Sequence, residues 1–199
     1  LGIWGVGKMN VKKFIEIMSV AEKLKNNTRH SWTSSNRHES VAEHSWRLSL
    51  MAYFVKDEFP YADINKVILM CICHDLGEAI TGDIPSFNKN ESDDIVENKE
   101  VHQLINNLPE PYNKELSKLF LEMQAQETIE SKLYKALDKM EVLIQHNEAD
   151  ISTWIPLEYE LNLTHGEKEV EFSNYMKDLK QAINEDTMNK IQHAKESIS

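Results

Sequence analysis

Glycine is nearly missing from the body of this chain: of six, three lie in the first seven residues, and only Gly77, Gly82 and Gly166 serve the rest. Tight hairpin turns draw on residues that accept positive φ, glycine foremost, and few alternating β-branched runs mark strands. Apolar residues recur instead at spacings of three and four, so the chain is expected to be all-α, a single helical bundle. A first helix is expected near residues 10–26, with Phe14, Ile17, Met18, Ala21 and Leu24 on its inner side, then a loop over 27–39 rich in Asn, Ser and Thr. A helix carrying His44 runs to about 58 and stops at Pro60, and the next begins at the N-cap residue Asp63 and leads to His74. Gly77 to Asn90 reads as a loop. Helices near 92–107 and 112–125 are parted by Pro109 and Pro111, which forbid a continuous helix, and another spans about 129–149. After an irregular stretch with Trp154 and Pro156, an amphipathic helix from about 167 presents Phe172, Tyr175, Met176, Leu179 and Ile183, and its polar tail from 186 is expected to fray. Residues 1–9 carry no helical or strand period and read as a leader or expression remnant. That leaves 10–199 as one domain, with its core at about 12–150 and a helical extension over about 155–199.

The sharpest chemical signal is His74-Asp75, an imidazole and a carboxylate side by side at the end of an apolar helix. Val67 and Cys71 share the stripe of His74, and Ile68, Cys71 and Ile72 lie above Asp75, so both polar heads point toward buried ground. Burying an ionised carboxylate is costly unless it is paired or bound to a cation, which makes a metal an economical account of Asp75. Glu78 follows one turn on, toward the same pocket. His44 lies on a face with Val41, Leu48, Met51 and Val55. Taken singly, a histidine there is more often a satisfied core residue than a ligand. Asp138 borders the stripe of Leu133, Leu137, Met140 and Ile144, and by itself reads as a solvated carboxylate beside Lys139. Only together do His44, His74, Asp75 and Asp138 suggest one divalent-metal site drawn from three helices. Two imidazoles and two carboxylates suit manganese, cobalt, iron or zinc better than magnesium or calcium, which prefer oxygen shells.

The charge balance narrows the partners. With 33 acidic against 22 basic residues the net charge is −11, so a nucleic-acid polymer is repelled on average while a small phosphorylated substrate remains acceptable. Basic residues concentrate at Lys23, Lys25, Arg29, His30, Arg37, His38 and Arg47, ahead of and into the His44 helix. No apolar run approaches the roughly 18 residues of a membrane span and no secretory signal precedes the first helix, so no membrane partner and a cytoplasmic location are expected. Cys71 and Cys73, two apart on one helix, suit neither a disulfide nor paired zinc ligands and read as reduced core thiols.

A histidine, then His-Asp, then a distant Asp on a helical chain of this length resembles the pattern of the HD-domain metal-dependent phosphohydrolases. Three stretches carry the resemblance further: Arg37 to Ser45, His74 to Pro85, and Ala136 to Glu141 are similar to the 5′-deoxynucleotidases of the bacterial YfbR type and the HD domain-containing protein 2 group. The likeness spans about residues 12–150. It implies hydrolysis of deoxyribonucleoside 5′-monophosphates, a divalent metal on His44, His74, Asp75 and Asp138, and a homodimer. The ion would polarise a phosphate oxygen and acidify a water for in-line attack on phosphorus. Glu78 would orient that water or pass a proton to the leaving group, and Asp83, beside the tight turn of Gly82, would hydrogen-bond the sugar 3′-hydroxyl. Arg29-His30-Ser31-Trp32 resembles the group's Arg-x-Gly-Trp segment with serine in place of glycine. There Arg29 would clamp the phosphate, and Trp32 would pack on the sugar or close the site against a 2′-hydroxyl. Two alternatives stay open: an HD-type enzyme for triphosphates, dinucleotides or cyclic nucleotides, and a non-catalytic HD interaction module. The first needs more phosphate-binding cations than Arg29, Arg37, Arg47 and Lys89 supply; the second typically loses a ligand.

Overall fold

The computed structural model describes residues 9–85 and 87–196, so the leader expected at residues 1–9 lies, Met9 aside, outside the described residues. The chain forms α1 (Val11–Glu22), the strands β1 (Thr28–Trp32) and β2 (His38–Ser40), α2 (Val41–Phe54), α3 (Ile64–Cys73), α4 (Glu78–Thr81), α5 (Glu91–Asn106), α6 (Tyr112–Ala125), α7 (Ile129–Glu148), α8 (Glu158–Thr164) and α9 (Asn174–Glu196). Helix starts follow side-chain chemistry. Asp63 and Thr128 accept backbone N–H groups at the heads of α3 and α7, and Ser40 with Glu43 forms a reciprocal capping box on α2.

Helices α2, α3 and α7 pack on one another around Leu48, Val67, Met70, Leu137 and Met140, and α9 closes that core with Met176 and Ile183. Cys71 and Cys73 are buried and free, in keeping with core thiols, and burial pushes Cys73 up to about 11. Among the described residues no helix is long and apolar enough to cross a membrane.

The all-α expectation holds except at residues 27–39, which form an antiparallel hairpin instead of a loop, pairing Thr28 with Ser40 and Trp32 with His38 around an irregularity. The turn manages without glycine because Asn36 takes the left-handed conformation, φ 59°, that asparagine tolerates. Helix α1 departs from its expected inner face: none of its residues is buried, and Phe14 (52% exposed) and Met18 face outward. Only Leu24, in the 3-10 turn that follows, is buried, against Val41 and Ala79. An amphipathic period records a face that needs cover without naming what covers it.

Other boundaries shift. The segment after Gly77 holds the single turn α4, and the stretch after Trp154 holds α8, which lacks a capping Ser, Thr, Asp or Asn to announce it. Helix α9 begins at Asn174 and continues past residue 186 to Glu196, and buried Thr187 anchors it there, its hydroxyl 3.0 Å from two acceptors, Ile183 O and Asn147 Oδ1. Gly166, φ 80°, carries the chain across α7 so closely that a Cβ would meet Lys139 Cβ at 2.9 Å and Met140 Cε at 2.6 Å. That passage sets His165 at the rim of the cavity described next.

Candidate active site

Three elements deliver the four expected ligands to one place. Buried His44 comes from α2, His74 and Asp75 from the end of α3, and Asp138 from α7. His44 Nε2 lies 3.2 Å and His74 Nε2 3.7 Å from Asp138 Oδ1, while His74 Nε2 lies 3.0 Å from Asp75 Oδ2. Atoms about 2.1 Å from a shared ion stand roughly 3.0–3.4 Å apart, so these separations fit one cation. His44, His74 and Asp75 each offer a ligand atom within 4.8 Å of the others.

Outer contacts aim the imidazoles. The Nδ1–H of His74 donates to Cys71 O at 2.9 Å, which turns Nε2 toward Asp75 and Asp138, where it is buried with no hydrogen-bond partner. On His44 the Nδ1–H donates to Glu141, a fully buried carboxylate on α7 that also lies 2.9 Å from Arg47 Nε. Lys135 Nζ donates to Asp138 Oδ2 at 2.9 Å, leaving Oδ1 for the centre.

The electrostatics favour a positive guest. Burial, and then Arg29, would lower the His44 imidazole, but Glu141 and Asp138 outweigh both and push it up to about 9. Burial would raise Asp138, yet Lys135 and the two imidazoles hold it well below the usual carboxylate range. A proton is thus retained where a metal ion would replace it. The residues present therefore fit a divalent transition ion.

Beside the centre opens a cavity of about 340 Å³ lined in part by His74, Asp75 and Asp138. Glu78 and Asp83 line it, as does Arg29, whose Nη1 lies 3.4 Å from Asp75 Oδ2 and 3.9 Å from Asp83 Oδ1 and whose Nε lies 3.5 Å from Glu39 Oε2. Glu78 is buried rather than a surface carboxylate, and its backbone carbonyl accepts from the Asn27 side chain, which ties α4 to the hairpin. Burial, then the charges of Asp75 and Asp83, push its carboxyl up to about 10. Gly82, φ 79°, makes the turn into Asp83. Trp32 does not line the cavity: its ring packs at a tilt against that of His38, centroids 4.1 Å apart, and its carbonyl accepts from Gln145.

The basic inventory also changes. Arg37 pairs with Glu43 at the surface and Arg47 with Glu141 and Glu148, whereas Arg29, Lys89, Lys135 and Lys139 line the cavity. Lys135, Lys139 and Glu141 escape the sequence reading as functional groups. Glu141 had a legible signal, a carboxylate directly after Met140 and one turn beyond the buried Leu137. Glu158 and Asn162 on α8, which also line the cavity, gave none because their helix was not expected.

Comparison with known proteins gives the family. Residues 21–180 match the HD domain family. The chain is 33% identical over 148 residues to the 5′-deoxynucleotidase HDDC2 of Bos taurus, covering 72% of this chain and 70% of that one. It is 32% identical over 141 residues to the human protein of the same name, covering 69% and 68%. Among solved structures it resembles one described as a predicted metal-dependent phosphohydrolase from Magnetospirillum magnetotacticum MS-1, with TM-score 0.76, 23% identity, and coverage of 92% of this chain and 97% of that one. A conserved hypothetical protein from Pyrococcus furiosus aligns with TM-score 0.67 and 29% identity over 86% and 99% of the two chains.

Proposed function

Because the chain belongs to the HD domain family, we propose that it is a metal-dependent phosphohydrolase that hydrolyses deoxyribonucleoside 5′-monophosphates to deoxynucleoside and phosphate. The observation that supports this most is the convergence of His44, His74, Asp75 and Asp138 at a cavity that also holds Arg29 and Glu78. Those four side chains would hold a divalent ion, manganese, cobalt, iron or zinc, which supplies Lewis acidity to a phosphate oxygen and makes water more acidic. Arg29 brings a planar guanidinium to the phosphate. Its neighbours Asp75, Asp83 and Glu39 lie 3.4–3.9 Å away, so no short bond must break before the fork turns to an incoming anion.

Glu78 handles the proton. With its carboxyl pushed up to about 10 it carries a proton at neutral pH, the form that can donate to a departing 5′ oxygen. A cation held by Asp75 would draw that value down toward the range where the group can also accept. Asp83, which lines the same cavity, would accept from the sugar 3′-hydroxyl. The deoxy sugar is supported by the relatives' names, since Trp32 lies away from the cavity.

The test is a nucleotide panel with cobalt- or manganese-loaded protein. Inorganic phosphate is expected from deoxyribonucleoside 5′-monophosphates in preference to ribonucleotides. Pyrophosphate or triphosphate release from larger nucleotides, with none from monophosphates, overturns the reading.

The family resemblance also implies a homodimer. On α2 Trp46 (64% exposed), Leu50, Tyr53 and Phe54 (75% exposed) recur at helical spacing, and Leu69 and Ile72 are exposed on the adjacent α3. An apolar strip of this kind is suited to burial between copies. Sedimentation at micromolar concentration should give the mass of two chains, and a single-chain mass counts against the dimer.

A further inference from the structure

The cavity continues beyond the metal centre toward polar groups that the proposed reaction leaves unused. Asp138, Val142 and His146 line it at successive turns of α7, so its far end lies about 12 Å along the helix from Asp138. There the Nδ1–H of His146 donates to Asn162 Oδ1 at 2.9 Å, and the Ser31 hydroxyl donates to His146 Nε2 at 3.2 Å. This arrangement leaves the amide Nδ2 of Asn162, a residue only 2% exposed, without a hydrogen-bond partner. One turn earlier on α8, Glu158, 1% exposed, accepts from Ile155 N–H through Oε2 at 2.8 Å. Its Oε1 lies 3.1 Å from His30 Nε2 and 3.6 Å from His146 Nε2 but accepts no aligned hydrogen bond.

A buried donor or acceptor left without an aligned hydrogen bond costs about 1–3 kcal/mol, and here one of each stands at i and i+4 on one helix, on two residues that line the same cavity. Val142, Leu161 and Phe87 supply apolar surface around them. A partly apolar cavity end with a donor and an acceptor one helical turn apart is suited to a nucleobase, whose edge carries the opposite pair and whose faces are apolar. The span along α7 separates this end from the metal centre as a nucleotide separates base from phosphate.

On the premise of the monophosphate reading, we infer that this end of the cavity is the nucleobase subsite, with Asn162 Nδ2 donating to the base edge and Glu158 Oε1 accepting from it. His146 and Ser31 act as positioning residues that hold the Asn162 amide in one orientation.

The test compares kcat and KM of the metal-loaded protein for the four deoxynucleoside monophosphates with those for 2-deoxyribose 5-phosphate, which lacks a base. Asn162→Asp keeps the oxygen that accepts from His146 and removes the donor, and Glu158→Gln keeps an oxygen for Ile155 N–H and removes the charge. In each variant KM for at least one nucleotide should rise about tenfold with kcat unchanged, since this contact lies far from the reacting phosphorus. Hydrolysis of the base-free sugar phosphate and bound metal should not change. Equal losses with and without the base, or no loss on any nucleotide, overturn the inference and leave the monophosphate reading standing. Absence of phosphate release from every monophosphate by the unsubstituted protein overturns that reading, and the base subsite with it.

Discussion

His74→Ala is expected to release the bound divalent ion and to lower phosphate release from a deoxynucleoside monophosphate by about a thousandfold or more. His74 Nε2 lies 3.0 Å from one acidic ligand and 3.7 Å from the other, so its loss removes the ring nitrogen that stands beside both carboxylates. What remains is a buried pair of anions with His44 alone to balance an ion. The ring also packs 5.6 Å from that of Tyr134, so Asp75→Asn, which preserves volume, serves as the companion variant. Metal content measured on protein purified without chelator, alongside phosphate release, decides the matter. Near-stoichiometric metal in His74→Ala, with activity within tenfold of the parent, would falsify the assignment. An unsubstituted protein that takes up no metal at all would instead favour a non-catalytic module.

Glu141→Ala should be the more damaging change for stability, costing about 3 kcal/mol, because it leaves partners of a buried charge network without their counter-charge. The carboxylate is fully buried, accepts from His44 and lies 2.9 Å from Arg47 Nε, so truncation strands two donors at once. Glu141→Gln keeps the shape and loses the charge. It should unfold closer to the parent but bind metal roughly 10–100-fold more weakly, the usual scale for the group behind a ligating histidine. Denaturant unfolding of metal-free protein measures the first effect and metal titration the second. An alanine variant within 1 kcal/mol of the parent, or a glutamine variant with unaltered affinity, removes Glu141 from the role given to it.

The helical class and most helix positions were legible because they rest on local information: apolar spacing, Asp63 as a cap, and Pro109 with Pro111 as breaks. Of the four ligand candidates, only His74-Asp75 stood out locally, as a polar pair on an apolar stripe that has to be compensated wherever the chain goes; His44 and Asp138 joined it only in combination and through the family pattern. Their meeting at 3.0–3.7 Å is a tertiary fact that no local pattern contains. The misses have physical causes of the same kind. Residues 27–39 lack a glycine turn yet pair as strands through Asn36, and α8 starts without a capping side chain. Trp32 was read by resemblance alone, with no local signal of its own. Its place in the sequence matches, but its ring rests on His38 outside the cavity.

Helix α7 meets four separate obligations within three turns. Asp138 meets His44 at the candidate metal centre, Glu141 braces His44, Gln145 donates to the hairpin at Trp32 O, and His146 orients Asn162. Exchanging one side chain there disturbs one obligation. Gaining or losing a single residue between Asp138 and His146 would instead rotate everything downstream by about 100°, parting the two ends of the cavity from one another. Drift in this segment is therefore open to replacement and closed to insertion or deletion.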